Sequence, residues 1–349
     1  MPASSKRKVL KFWLKFKPLF WVIVLIFLFW QAFVLVKPVL NFADENGINS
    51  SFLYSLIFSK NFPLNQQSGR TNFLLLGIAG ANHQADDLTD TMIFFSLEAK
   101  KNQALLISLP RDVWSPTLKD KINSAYHYGE EKKQGGGLIL SKLIVEETLG
   151  QPVHYAILID LSSLKEAIDI LGGVEIEVKH AFDDDQFPIA GKENDLCNGD
   201  PQLACRYEHL HFDQGWQKMN GERALKYIRS RNAEGEEGGD FARANRQQKL
   251  LLAIKNKVLS PSIIFNPAKV KALIEIFSQG IKTDLNLAEG CFLAKPLLRI
   301  RQDEIKKLVL EESFFIIPPL WQYGKWVLVP PNEDYTPIHQ FIEKQLESL

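Results

Sequence analysis

Tyr227–Gln248, YIRSRNAEGEEGGDFARANRQQ, carries four arginines (Arg229, Arg231, Arg243 and Arg246), one isolated acid at Asp240, and paired amides at Gln247 and Gln248. If Ile228–Arg231 is extended, the two-residue period of a strand puts Arg229 and Arg231 on one side of the chain. The residues that follow read as a helix. With Asp240 as its cap, Arg243 and Gln247 lie one turn apart on one face, and Leu250 and Ile254 continue that stripe into apolar surroundings. This spacing predicts a helix whose polar start faces a cleft and whose remainder packs into a core. Guanidiniums that converge repel one another unless an anion lies between them, and their planar forks suit phosphate or pyrophosphate oxygens. A solvated basic helix start is the plainer alternative. The i, i+4 placement and the matching Arg-x-Arg favour an anion site.

The segments before this stretch supply a sheet for the helix to pack on. Asn72–Leu76, Met92–Leu97 and Ala104–Leu109 are short apolar runs bounded by Gly, Asp, Asn and Pro, the pattern of buried strands. Gly137–Leu149 and Leu161–Leu171 carry helical spacing, and Tyr155–Ile159 and Val174–Val178 read as further strands. Helices that alternate with buried strands imply an α/β chain with helices on both faces of its sheet. Asp183–Gly215 is a long polar insertion, the kind of loop that is usually functional or mobile. After Pro261 the chain reads as helices and one late strand, Trp326–Val329, and is expected to form a small appended lobe. Gly135–Gly137 lack the Lys-Ser or Lys-Thr of a nucleotide loop and read as a hinge or a close helix approach.

The chain has 349 residues, 46% of them hydrophobic, enough for one large core or two modest ones. Its 41 basic and 41 acidic residues cancel, which argues against a nucleic-acid partner. Charge is nevertheless uneven. Lys6, Arg7, Lys8, Lys11, Lys15 and Lys17 precede Leu19–Val36, an apolar run broken only by Gln31. As a helix this run is about 27 Å long, close to the thickness of a hydrocarbon core. The basic residues before it predict a cytoplasmic N-terminus and an exported body. No small-x-small cleavage site follows, so a retained anchor is expected.

NFLLLG, LTDTM, SLPRD, KIN, LGGV, MNGERALKYIRSR and GDFARANRQQ, in this order over Thr71–Leu259, resemble the LytR-CpsA-Psr family of membrane-anchored cell-wall ligases. The resemblance implies a three-layer α/β/α sandwich with a mixed central sheet and a cleft that admits lipid. It implies Mg²⁺-assisted transfer of a phosphoglycosyl polymer from a polyprenyl-pyrophosphate carrier to a peptidoglycan acceptor. Asp90 then matches the acid near metal and pyrophosphate, while Arg111 and Lys121 match basic residues that hold the pyrophosphate. Arg229, Arg231, Asp240, Arg243 and Gln247 match the remaining polar lining. Asp112 is expected to orient Arg111, and Asp240 either caps its helix, orients Arg231 or Arg243, or draws off the acceptor proton. One departure stands out: the family usually has an acid two residues after the glycine of the first strand, where this chain has Ala79. Asp87, with Asp86, is the candidate substitute as a second metal ligand, although Asp before a strand also serves plain turn geometry.

The expected organisation is a basic tail (1–18), an anchor (19–36), a connector (37–70), a catalytic domain (71–260) and a C-terminal lobe (261–349). Cys197 and Cys205 would close a short loop as a disulfide in an oxidising compartment. A zinc site with His209 and His211, and free thiols, are the alternatives. Asp183–Asp185 read as a solvated acidic turn that could also bind a cation. Two other functions need much the same pocket: a polyprenyl-pyrophosphate phosphatase, and a non-catalytic binder of lipid-linked wall precursors.

Overall fold

The apolar runs pair as strands of one sheet. β1 (Thr71–Ile78) lies antiparallel to β2 (Thr89–Glu98), and β2 antiparallel to β3 (Gln103–Ser108), so that Leu74 faces Phe94 and Phe94 faces Ile107. Two short strands follow, β4 (Trp114–Ser115) and β5 (Asp120–Lys121), and then β6 (Tyr155–Asp160) returns parallel to β1. Alternation sorts the side chains onto two faces. Leu74, Leu76, Met92 and Phe94 meet Ile144, Val145 and Leu149 of the Gly136–Leu149 helix on one face. Phe73, Ile93, Leu97 and Leu106 meet Leu252 of the Gly239–Val258 helix and Leu293 of the Leu287–Arg299 helix on the other. The result is the three-layer α/β/α sandwich with a mixed sheet. This computed structural model describes residues 64–79, 87–192 and 194–349. The expected tail, anchor and most of the connector lie outside them. Among the described residues, no helix is long and apolar enough to cross a membrane.

The C-terminal part is not a separate lobe. β11 (Ile281–Thr283) pairs antiparallel with β6, and β12 (Ile305–Val309) parallel with β3, giving the order β11-β6-β1-β2-β3-β12. Ile338, Ile342 and Leu346 of the Thr336–Glu347 helix complete the core on the side of Ile144, and Phe62–Leu349 forms one unit. Without these additions the four-stranded sheet would expose two rows of unpaired N–H and C=O groups. The expected strand Trp326–Val329 reduces to isolated bridges, Val113 with Leu328 and Ile316 with Val329.

β7 (Val174–Val178) leaves the central sheet and pairs with β10 (Gly215–Met219). The long insertion is not a bare loop either, since β8 (Phe182–Pro188) and β9 (Tyr207–Phe212) form an antiparallel hairpin. Phe182, Phe187, Leu210 and Phe212 bury one face of it against Tyr227 and Ile228. Cys197 and Cys205 form a disulfide across its connection. The triple glycine is a close helix approach: a Cβ on Gly136 would stand 2.3 Å from Gly129 O, and one on Gly137 would stand 2.6 Å from the Tyr126 ring.

Candidate functional site

The Gly239–Val258 helix takes Gly238 as its cap, because Gly239 N–H donates to Arg231 O at 2.7 Å and turns the chain two residues earlier than expected. Asp240 therefore lies in the first turn and not at the cap. Its Oδ1 is buried, has no hydrogen-bond partner among the described residues, and sits 3.0 Å from Arg243 Nη2. Arg243 and Gln247 do share a face. Both line a cleft with Asp90, Asp112, Asp240 and Trp326.

The opposite wall comes from the end of β3 and the loop beyond it. Leu109 N–H donates to Met92 O at 2.9 Å, which carries the chain past Pro110 and sets Arg111 beside Asp90. Arg111 Nη1 donates to Asp90 Oδ1. Its Nε lies 3.4 Å from Asp112 Oδ2, and Lys121 Nζ donates to Asp112 Oδ1 at 2.5 Å. Asp112 thus bridges the two cations, consistent with the orienting role expected of it. Burial pulls the Arg111 guanidinium down, but Asp90 and Asp112 outweigh it and hold the group above its ordinary value, with Asp240 adding to the effect. Arg243 is the reverse. Burial lowers it first, Asp240 only partly compensates, and Arg111 and Arg231 push in the same direction as burial. It remains a cation. Of the two, Arg243 gains most from an arriving anion.

Two arginines of the opening stretch stand apart from this cleft. The Gly221–Arg229 helix continues through Arg229, and the backbone becomes extended only at Ser230 (φ −56°, ψ 135°), so Arg229 and Arg231 do not share a side. Arg229 instead lies over the Phe187 ring at 5.8 Å. Helical geometry wins because Ala224, Tyr227 and Ile228 are buried together on one face of that helix. Arg246 is fully buried. Nε donates to Tyr227 O at 2.9 Å, Nη1 to Glu237 O at 2.8 Å, and Nη2 to Ser230 O. It ties both ends of the Arg231 loop to the helix. Arg231 is exposed but close enough to perturb Arg243. Asp87 is exposed and lies 3.6 Å from His127 Nδ1, outside the cleft lining; Asp86 is outside the described residues.

Gln247 also borders a second cavity, walled by Leu75, Leu76, Ile159, Leu164, Leu250 and Ile254. A charged cleft and an apolar pocket thus adjoin at one side chain. The predicted stripe Arg243–Gln247–Leu250–Ile254 is what joins them.

The LytR_cpsA_psr family profile matches residues 48–340. The chain belongs to this family. Among the relatives of this LytR_cpsA_psr protein is a polyisoprenyl-teichoic acid–peptidoglycan teichoic acid transferase, TagU of Oceanobacillus iheyensis. It is 29% identical over 229 residues, which are 64% of this chain and 62% of that protein. TagV of Bacillus subtilis, which bears the same transferase description, is 26% identical over 237 residues, 66% of this chain and 54% of that protein. The chain thus spans little more than half of that second relative's length. The crystal structure of B. subtilis TagV superposes with a TM-score of 0.56 at 22% identity, covering 81% of this chain and 99% of that one. TagT bound to LIIa-WTA gives 0.54 at 21% identity, covering 80% and 92%. These likenesses are of fold.

Sequence reasoning missed two members of the LytR_cpsA_psr cleft and its support. Trp326 reaches the cleft from a distant part of the chain, and no local pattern announces it. Asp184 is fully buried: Oδ2 accepts from Ser230 Oγ at 2.7 Å and from the backbone N–H of Arg231 and Asn232 at 3.2 Å. Its signal is the alternation Phe182-x-Asp184, which puts one member of the acidic run on the apolar side of a strand.

Proposed function

We propose that this chain is a membrane-anchored phosphotransferase that moves a glycopolymer from a polyprenyl-pyrophosphate carrier to peptidoglycan. The adjoining of the two cavities at Gln247 carries this reading. An amphiphile with a pyrophosphate between a lipid and a glycan needs an apolar pocket that opens directly on a cationic cleft. The names of the TagU and TagV relatives support the same substrate class.

In this reading Arg111 and Arg243 take the equatorial pyrophosphate oxygens, Lys121 adds a third cation, and Arg231 closes from the loop. The acceptor hydroxyl oxygen attacks the glycan-bearing phosphorus in line. A phosphodiester to the acceptor forms, the P–O–P bridge breaks, and polyprenyl phosphate leaves. The Asp240 carboxylate, whose buried Oδ1 is ion-paired with Arg243 at 3.0 Å, is our candidate to accept the hydroxyl proton. The donor set fits Mg²⁺, which needs only one or two carboxylates beside phosphate oxygens: Asp90 offers a carboxylate that is 41% exposed. When bound, the ion neutralises charge on those oxygens. Asp87, turned to His127, is the weaker candidate for a second ligand, and Ala79 offers none. The disulfide and the apolar Leu19–Val36 run support a single-pass anchor with the main domain outside the cytoplasm. Balanced charge supports the absence of a nucleic-acid partner.

The test uses the full chain in detergent with a polyprenyl-pyrophosphoryl oligosaccharide, Mg²⁺ and peptidoglycan fragments. Expected products are polyprenyl monophosphate and a phosphodiester-linked glycan. Arg111→Ala and Asp90→Ala should each slow turnover by about 10² or more, the scale for a lost charge-stabilising group. Glycan phosphate that accumulates without acceptor would make the protein a phosphatase, and lipid binding without turnover would make it a binder.

A further inference from the structure

One border of the cationic cleft is aromatic. Trp326 lines the cleft with Asp112 and Arg243 and is 41% exposed. The backbone beside it is fixed to the cleft wall, since Leu328 N–H donates to Asp112 O at 2.9 Å and Trp114 N–H donates to Leu328 O at 2.8 Å. Lys121 Nζ, which pairs with Asp112, lies 5.8 Å from the centre of the Trp326 ring. Trp114 stands opposite Lys121 in the β4–β5 pair, and its ring meets the Tyr323 ring edge-on at 4.7 Å. Tyr323 in turn donates its hydroxyl to Glu333 Oε1 at 2.8 Å. Aromatic rings held in place from behind therefore flank the cations of the cleft.

The order of the two cavities along the sheet says what reaches these rings. The apolar pocket lies over β6, β1 and β2, through Ile159, Leu75 and Ile93. The charged cleft lies over β2, β3 and β12, through Asp90, Ser108 and Val309, and Trp326 belongs to it alone. With the prenyl tail in the first and the pyrophosphate in the second, the leaving polyprenyl phosphate points back past Gln247. In-line displacement brings the attacking hydroxyl from the opposite side, toward β12 and Trp326. A pyranose presents weakly positive C–H bonds on its flat faces, and these settle on the negative face of an aromatic ring. A tryptophan fixed by its backbone also loses little freedom when it is covered.

We propose that Trp326, backed by Trp114 and Tyr323, is the platform on which a pyranose of the acceptor glycan strand stacks. Its direction rests on the phosphotransferase reading above. A bilayer also attracts exposed tryptophan, but the same order of cavities puts Trp326 on the side of the pyrophosphate away from the prenyl tail.

The experiment uses the full chain in detergent, as parent, Trp326→Ala and Trp326→Phe, with circular dichroism melts to show that each is folded. A soluble peptidoglycan tetrasaccharide, which carries no pyrophosphate, is titrated by ligand-observed NMR, and transfer kinetics give KM separately for that acceptor and for the lipid-linked donor. Trp326→Ala should weaken tetrasaccharide binding about tenfold, the scale of one lost stacking contact with its buried area. It should raise the acceptor KM by a similar factor and the donor KM by less, and Trp326→Phe should recover part of both losses. No tetrasaccharide binding by the folded parent, or equal binding by folded Trp326→Ala, would overturn the proposal. So would a larger rise in donor KM than in acceptor KM, or, in proteoliposomes, fluorescence quenching by brominated acyl chains that Trp326→Phe abolishes. Tetrasaccharide binding that depends on Trp326 in a chain that transfers nothing would uphold the platform and count against the phosphotransferase reading alone.

Discussion

Arg243 and Arg246 sit three residues apart on one helix and have opposite fates. Arg243 borders the cleft with one carboxylate beside it and two other cations nearby. Arg246 is enclosed by carbonyls, the Glu237 carboxylate and the Phe182 ring at 4.9 Å. Arg246→Ala should therefore cost about 3–5 kcal/mol of stability, since it strands a partly buried carboxylate and unpaired carbonyls. Arg243→Ala should leave the unfolding midpoint nearly unchanged and abolish most turnover. Urea denaturation alongside the transfer assay separates the two. Asp184 acts through Arg231. Asp184→Asn keeps the shape but turns an NH2 toward donors that the carboxylate accepts on both sides, three on Oδ2 and Gln186 N–H on Oδ1, and should cost about 1–3 kcal/mol. It should also lower turnover more than it raises KM, because the apolar cavity at Leu250 and Ile254 is untouched.

At the level of elements, the β1–β6 pairing depends on a neutral imidazole. Asn72 N–H donates to His154 Nδ1 at 2.9 Å, and the Asn72 side chain donates to Pro152 O at 2.8 Å. Burial is the main cause that holds His154 below its ordinary value of 6.5, against the opposing pull of Glu146. The unfolded chain therefore takes up a proton at His154 more readily than the folded one. The stability this group contributes is complete above about pH 6.5 and is lost as pH falls through the depressed folded value. Urea midpoints measured between pH 7.5 and 5 should fall less steeply for His154→Gln than for the parent; equal slopes would remove His154 from the account. The Gly221–Arg229 helix shows how an element overrides local reading. Arg-x-Arg suggests a strand, but Asn220 caps the helix by accepting from Arg223 N–H at 2.9 Å. Burial of Tyr227 and Ile228 then carries helical geometry through Arg229.

Across the whole molecule, the last fifth of the chain is structural. β12 covers the edge of β3, Ile338 and Ile342 lie in the core, and Trp326 reaches the cleft. A chain ending at Glu304 should lack a cooperative thermal transition by circular dichroism, since it uncovers a sheet edge and removes buried helix contacts together. A sharp melt in that truncated chain would restore the idea of a separable lobe.

Features written in short-range periodicity were legible in the linear chain: the central strands, the Arg243–Gln247–Leu250–Ile254 stripe, the close helix approach at Gly136, and the Cys197–Cys205 pairing. Each depends on residues a few positions apart, where backbone geometry alone decides which side chains share a face. Other features joined residues with no local relation. Asp184 grips Arg231 across 47 positions, Trp326 enters a cleft built on Asp90, and β11 and β12 close the sheet. The parting of Arg229 from Arg231 belongs with these, because burial of Tyr227 and Ile228 against the hairpin selected helix over strand. Such choices depend on which distant surfaces meet and exclude water, and only the assembled tertiary structure settles them.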